Sequence, residues 1–244
     1  SKFYARRGLR IFPLYYLTVL ITLFVLPKFS AFYLPVFSED LQQHFATKAI
    51  LTLLLLPQMV LVKFSAIPAG EQLWTIGAEE IFYFLWPVLL TKTKNEWQLT
   101  VGLIVVFAVV KFLLRYFSGA VIWNEHPGLI YRIFLIFYYN RIDCLLLGAG
   151  GAILFYQKPA WLPKFAGGLK NVLAVVLLLA GCFVLGFAVL PVDFFFYSLC
   201  FVFVLWVIAA SPSKTMLLQH SITEYLGKVS YGIYLWHYMM VLVA

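Results

Sequence analysis

Arg7 and Arg10 are the first residues in the chain whose type and spacing point to chemistry. They lie at i and i+3 in Phe3-Tyr4-Ala5-Arg6-Arg7-Gly8-Leu9-Arg10-Ile11-Phe12-Pro13-Leu14-Tyr15. On a helix these positions share a face, so two guanidiniums can converge on one anion through charge-assisted hydrogen bonds. At a membrane boundary such a pair suits the phosphates of a nucleotide-bearing donor. The competing reading is a topogenic cluster that touches lipid headgroups. Pro13 is expected in the first turn of the span that follows, where a missing N–H is tolerated.

The second group is Glu79 and Glu80, in Leu73-Trp74-Thr75-Ile76-Gly77-Ala78-Glu79-Glu80-Ile81-Phe82-Tyr83-Phe84-Leu85-Trp86-Pro87. Acids in an apolar span are costly unless paired or functional. Glu79, Tyr83 and Trp86 follow i, i+4, i+7 and put a carboxylate, a phenol and an indole on one face. A glutamate here could act as a general acid or base, orient a catalytic histidine, or pair with a buried arginine. Capping a helix N-terminus, where anions are favoured, is the competing reading.

Arg141 and Asp143 form the third group, in Arg141-Ile142-Asp143-Cys144-Leu145-Leu146-Leu147-Gly148. Two positions apart on a helix, they point in different directions, and each needs a partner elsewhere in the bundle. A catalytic pair and a structural ion pair both stay open. The fourth group is Tyr225-Leu226-Gly227-Lys228-Val229-Ser230-Tyr231-Gly232-Ile233-Tyr234-Leu235-Trp236-His237. Ser230, Tyr234 and His237 draw a polar stripe along a helix. His237 is a candidate base, or a hydrogen-bonded packing residue among aromatics. The glycines around Ser230 do not make a nucleophile elbow. His44, His126 and His220 are expected in loops and show no metal-ligand spacing. Cys144, Cys182 and Cys200 fall in apolar segments and read as small core residues.

The elements that must hold these groups are membrane helices. Of 244 residues, 64% are apolar or aromatic and 11% are charged, with a mean hydropathy of +0.94. Soluble domains average about 45–50% apolar and about 25% charged. Long apolar runs without period-two alternation argue against a transmembrane barrel. The expected fold class is therefore all-α, a polytopic transmembrane bundle, and at about 20 residues per span the chain holds about eight spans. The net charge of +8 fits basic cytoplasmic loops on a lipid bilayer rather than a nucleic-acid partner.

Apolar runs place segment A at about 11–27, B at about 47–62, C at about 73–90 and D at about 98–117. E follows at about 129–156, F at about 171–190, G at about 192–210, and H from about 229 to the end. The cluster of Lys2, Arg6, Arg7 and Arg10 puts the start of the chain on the cytoplasmic side. The remaining loops show no Lys/Arg bias if every segment spans. Treating B as re-entrant improves it, so either B does not span or the membrane interior holds functional cations.

In this order, the four stretches resemble the acyltransferase type 3 family of integral membrane enzymes. The family's R-x-x-R before a span is matched by Arg7, Arg10, Pro13 and Tyr15. Its tryptophan–glutamate stretch is matched by Trp74, Glu79, Glu80, Phe82, Tyr83, Trp86 and Pro87, with Thr75 where Ser is usual and Ile81 where Gln is common. Its R-x-D segment is matched by Arg141, Asp143 and Gly148, and its closing block by Gly227 through His237.

The resemblance implies a single membrane acyltransferase domain over residues 1–244. It implies a bacterial inner-membrane, multi-pass enzyme moving an acyl group, acetyl in the usual family case, from cytoplasmic acyl-CoA to a hydroxyl. The acceptor would be a cell-surface glycan or a small hydroxylated molecule. Arg7 and Arg10 would hold the CoA phosphates. Glu79, Glu80, Tyr83, Arg141, Asp143 and His237 are the candidate catalytic residues, with acyl-CoA as co-substrate and neither metal nor permanently bound cofactor. Family members carry two further spans upstream, the first with the key histidine. The expectation is therefore about eight spans of about ten, the last one shortened, and no activity from residues 1–244 alone. A secondary transporter or flippase, with the intramembrane charges around a solute, is the alternative. A structural or sensory protein whose charges only pair with each other is a third.

Overall fold

The computed structural model describes residues 2–119, 128–157, 193–210 and 220–243, together with 170, 173, 174, 176, 177 and 180. The described elements are all helical. Segment F apart from those single positions, and His126 and Cys182, lie outside the described residues. The described residues divide into two compact units. One falls within Ser1–Ile81 and Tyr225–Ala244, the other within Phe82–Glu224.

The first unit is built on α1 (Lys2–Leu20), which continues as a π turn (Ile21–Val25) and a 3-10 turn (Leu26–Lys28). The basic cluster is thus helical itself, and Pro13 sits in the interior of α1 rather than in a first turn. Its ring removes one backbone hydrogen bond, a loss that membrane helices tolerate where neighbours supply partners. Further along, the Thr18 hydroxyl donates to the Leu14 carbonyl at 2.8 Å and the Thr22 hydroxyl to the Thr18 carbonyl at 3.0 Å.

Segment B does not form one span. It folds as α3 (Phe45–Leu53) and α4 (Pro57–Lys63), following α2 (Pro35–Gln43). A nine-residue helix is about 14 Å long, half the thickness of the hydrocarbon layer. The chain reverses between α3 and α4 at Leu55, which takes a left-handed φ of 62°. This helical hairpin lies along α1: the Phe45 ring meets Phe24 at 5.6 Å, and farther up α1 the Tyr15 hydroxyl donates to the Thr52 carbonyl at 2.7 Å. Its tip rests on Gly77, where an added Cβ would come within 2.7 Å of the Pro57 ring and 2.8 Å of the Leu55 carbonyl oxygen.

Charge pins the base of the hairpin. Lys48, fully buried, reaches Asp40 Oδ2 at 2.6 Å and donates to the Ser65 carbonyl at 3.0 Å. The Ser65 backbone N–H and hydroxyl donate to the same Oδ2 at 2.8 and 2.5 Å. His44 Nδ1 lies 2.8 Å from Asp40 Oδ1. Burial favours the protonated acid, but hydrogen bonds from Lys48 and Ser65, with the Lys48 charge, hold the Asp40 carboxyl well below its usual range.

α5 (Leu73–Lys92) begins in this unit, and α10 (Ser221–Val243) contributes residues from Tyr225 onward. Leu73, Ile76 and Leu235 join Tyr15, Val19 and Leu23 of the first span in one apolar core.

The second unit holds the rest of α5, then α6 (Glu96–Gly119), α7 (Leu129–Asn140), α8 (Ile142–Gln157) and α9 (Asp193–Ala210). Segment E is broken rather than continuous, because Arg141 adopts left-handed φ 44° and ψ 34° between α7 and α8. α8 packs on α6 and on α9. Gly151 allows the second approach, since a Cβ there would lie 2.5 Å from Val202 Cγ1. The Trp206 indole N–H donates to the Gly151 carbonyl at 2.9 Å.

Among the described residues, four helical stretches are long and apolar enough to cross a membrane: Lys2–Lys28, Leu73–Lys92, Glu96–Phe117 and Leu129–Gln157. They contain segments A, C, D and E. Segment G is the shorter apolar helix Phe195–Ala209.

Candidate functional site

The N-terminal turns of α1, the first half of α5 and one residue of α10 enclose an open cleft of about 640 Å³. Its walls are Phe3, Arg6, Arg7, Arg10, Ile11, Ile76, Glu79, Glu80 and Tyr231. Helix periodicity explains the arginines. Arg6 and Arg10 are i and i+4, Arg7 and Arg10 are i and i+3, so one face of α1 presents all three. The volume is that of a small-molecule or cofactor site.

Arg7 is committed within the cleft. Its Nη2 and Nε reach Glu80 Oε1 at 2.7 and 3.0 Å, and Nη2 lies 3.9 Å from Glu79 Oε2. The side chains of Arg7 and Glu80 are 20% and 12% exposed, and that of Glu79 is 50% exposed. The two glutamates stand well inside α5, which starts at Leu73, so they do not cap its N-terminus. Of the readings open for them, pairing with an arginine is the contact Glu80 makes. Arg6 donates its Nε to the Lys2 carbonyl at 3.3 Å. Arg6 and Arg10 are both exposed.

Ser230, Tyr234 and His237 are not among the residues of these walls. His237 is exposed, and its Nδ1 sits 2.6 Å from the Tyr234 carbonyl. Counted along α10 it is about 9 Å beyond Tyr231. Tyr234 contacts the Thr75 hydroxyl and donates to the Gln72 carbonyl at 3.2 Å. The Ser230 hydroxyl bonds back to the Gly227 carbonyl at 2.9 Å. The stripe Ser230, Tyr234, His237 therefore does not face the cleft as a set. Tyr231 does, with its hydroxyl 3.2 Å from the Ile11 carbonyl.

Tyr83, Arg141 and Asp143 belong to the second unit. The Tyr83 ring meets Phe82 edge-on at 5.7 Å, and Phe82 stacks on Trp86 at 5.4 Å. Asp143 Oδ2 pairs with Lys111 Nζ at 2.8 Å, both side chains nearly inaccessible. It also lies in the first turn of α8, where the helix dipole favours an anion. Asp143 Oδ1 has no hydrogen-bond partner among the described residues. The Arg141 guanidinium stands 5.6 Å over the Tyr138 ring.

Sequence reasoning missed Arg6, Tyr231 and Lys111 as site or network residues. Arg6 was legible from its i+4 relation to Arg10. Lys111 was legible as a cation in the middle of an apolar run. Tyr231 required knowing which face of α10 turns toward α1.

A family model described as an acyltransferase domain, that of the acyltransferase 3 family, matches residues 1–244. The candidate peptidoglycan O-acetyltransferase YrhL of Bacillus subtilis (strain 168) is 25% identical over 190 residues. That match covers 71% of this chain and 28% of the relative, so the chain spans well under two thirds of that protein's length. No solved structure matches this chain. With helices apolar enough to span a membrane and a family match over its whole length, the chain belongs to the acyltransferase 3 family.

Proposed function

We propose that this chain is the membrane part of an O-acyltransferase that takes an acyl group, acetyl in the simplest case, from cytoplasmic acyl-CoA. The acceptor is a hydroxyl of a cell-surface glycan or related molecule. The observation that carries the reading is the cleft lined by Arg6, Arg7 and Arg10 at the start of the first span. Three guanidiniums at one mouth suit a donor carrying several phosphates. The peptidoglycan acceptor in the name of the Bacillus relative supports a glycan.

Direct transfer is the mechanism these groups support. A base removes the proton of the acceptor hydroxyl, and the oxygen attacks the thioester carbonyl. The resulting oxyanion is stabilised by hydrogen-bond donors, and the C–S bond breaks to release CoA. Glu79, the more exposed carboxylate, orients a base or binds the acceptor in this reading. Tyr231 supplies a phenol at the same wall.

The test uses membranes containing the complete protein and follows acceptor-dependent release of CoA thiol from acetyl-CoA. Arg10→Ala is expected to raise the apparent KM for acetyl-CoA about tenfold, the size of one lost charge-assisted hydrogen bond. A variant that changes only the dependence on acceptor would contradict the donor assignment.

A further inference from the structure

We infer that the seam where α10 lies against the start of α5 binds a sugar ring of the acyl acceptor through the ring's hydroxyls. The site is separate from the arginine cleft, and it rests on the reading of the chain as an O-acyltransferase of a glycan.

The seam is a ladder of polar contacts that begins at the cleft. Tyr231 and Glu79 line the cleft. From there Tyr234 and Tyr238 follow three and seven residues further along α10, while Thr75 and Glu71 lie four and eight residues before Glu79. The Thr75 and Tyr234 hydroxyls touch, and the Tyr238 hydroxyl bonds to the Glu71 carboxylate. Between these rungs the Gln72 amide donates to the Leu235 carbonyl at 2.6 Å and fixes α10 at this level. Seven residues of helix rise about 10 Å, so the ladder has room for more than a single hydroxyl.

What the ladder offers a ligand is hydrogen-bond acceptors. His237 Nδ1 lies 2.6 Å from the Tyr234 carbonyl. A carbonyl oxygen only accepts, so Nδ1 carries the proton, and Nε2 of the neutral ring holds a lone pair. His237 is exposed, and none of the described residues bonds to its Nε2. Glu71 is also exposed, and among the described residues no Lys or Arg pairs with it. An ionised carboxylate accepts only, and the one hydroxyl of Tyr238 does not fill it. The Thr75 and Tyr234 hydroxyls both donate to the Gln72 carbonyl, at 3.0 and 3.2 Å. Their protons are thus committed, and toward a ligand they too accept.

An array of acceptors without a cation repels phosphates and carboxylates and matches hydroxyl donors. The rings complete the match. The His237 ring centroid stands 5.6 Å from that of Tyr234 and 6.4 Å from that of Tyr238. Such rings take the apolar C–H face of a sugar while their polar tips reach its hydroxyls. A lipid tail supplies no donors, and an exposed carboxylate and imidazole beside a helix apolar enough to span are costly against lipid.

The experiment uses the complete protein in detergent, with isolated peptidoglycan glycan strands as the probe and CoA as the control. In a background without other reactive cysteines, the His237→Cys thiol is labelled with a maleimide. Glycan strands are expected to slow the labelling several-fold, and CoA to leave it unchanged. In acetyl transfer to the strands, His237→Phe keeps a ring and loses the acceptor, and Glu71→Gln loses the carboxylate. Each is expected to raise the KM for strands about tenfold with the KM for acetyl-CoA unchanged. A seam that only packs helices would lose folded yield and kcat and leave the KM for strands in place. Protection by CoA, variants that raise only the KM for acetyl-CoA, or an unchanged KM for strands would overturn the sugar site. If the parent transfers no acetyl to strands that still protect the His237→Cys thiol, the functional reading falls and the sugar site stands. If transfer proceeds and the thiol is not protected, the sugar site falls and the functional reading stands.

Discussion

Lys111 and Asp143 form an ion pair whose side chains are almost closed to solvent. The two-residue spacing of Arg141 and Asp143 required each to find a separate partner, and Asp143 found Lys111 at 2.8 Å. The partner lies 32 positions away on another helix, a separation that no local pattern encodes. The same holds for Arg7 and Glu80, each recognisable by type but joined across 73 positions. Removing one member of the buried pair leaves an uncompensated charge. Lys111→Met is therefore expected to destabilise the protein by about 3–5 kcal/mol, and Lys111→Met with Asp143→Leu to recover most of it. Thermal unfolding of the complete protein in detergent checks this. Equal losses in the single and double variants would contradict the pairing.

At the scale of elements, the hairpin of α3 and α4 is the feature that apolar runs described least well. Segment B read as a short span or a re-entrant one. The structure makes it two helices, each too short to cross, because Leu55 turns the chain and Pro57 starts the second helix. Segment E likewise read as one run, and its interruption at Arg141 depends on a backbone angle that hydropathy does not report.

The two ends of the hairpin are held by different forces, packing at the tip and charge at the base. At the tip, Gly77→Val places methyl groups against Pro57 and Leu55, and overpacking of this kind costs about 1–3 kcal/mol. A melting temperature equal to the parent's would show that the tip does not rest on α5. At the base, the Asp40 carboxyl is held below its unfolded value. Its contribution is therefore complete above the unfolded pKa of about 4 and declines as pH falls below that toward the lower folded value. Asp40→Asn is expected to be less stable near neutral pH and to lose less stability than the parent between about pH 5 and 3. Parallel melting curves for the two proteins across that range would contradict the assignment.

For the molecule as a whole, the all-helical membrane character was legible from composition, since 11% charged residues cannot cover a soluble surface. The vertical arrangement of the first unit was not. α1 carries the arginine cleft at its start, while His44 and Asp40 lie at the level of Phe24, through the Phe45 contact. From Arg7 to Phe24 is about 26 Å along the helix, close to the hydrocarbon thickness. That spacing predicts that the cleft and the hairpin base face opposite sides of the membrane. In a background without other reactive cysteines, Arg6→Cys and His44→Cys are expected to react with an impermeant maleimide from opposite sides. Labelling from the same side would contradict this placement.

The central claim, acyl transfer from a donor held in the arginine cleft, is tested most directly by following label from radiolabelled acetyl-CoA into glycan. The measurement uses inside-out membrane vesicles that contain the complete protein. The account predicts labelled glycan with the parent protein. With Arg10→Gln it predicts little label at low acetyl-CoA and recovery when acetyl-CoA is raised about tenfold. No label at any acetyl-CoA concentration, or label indifferent to Arg10→Gln, would contradict it.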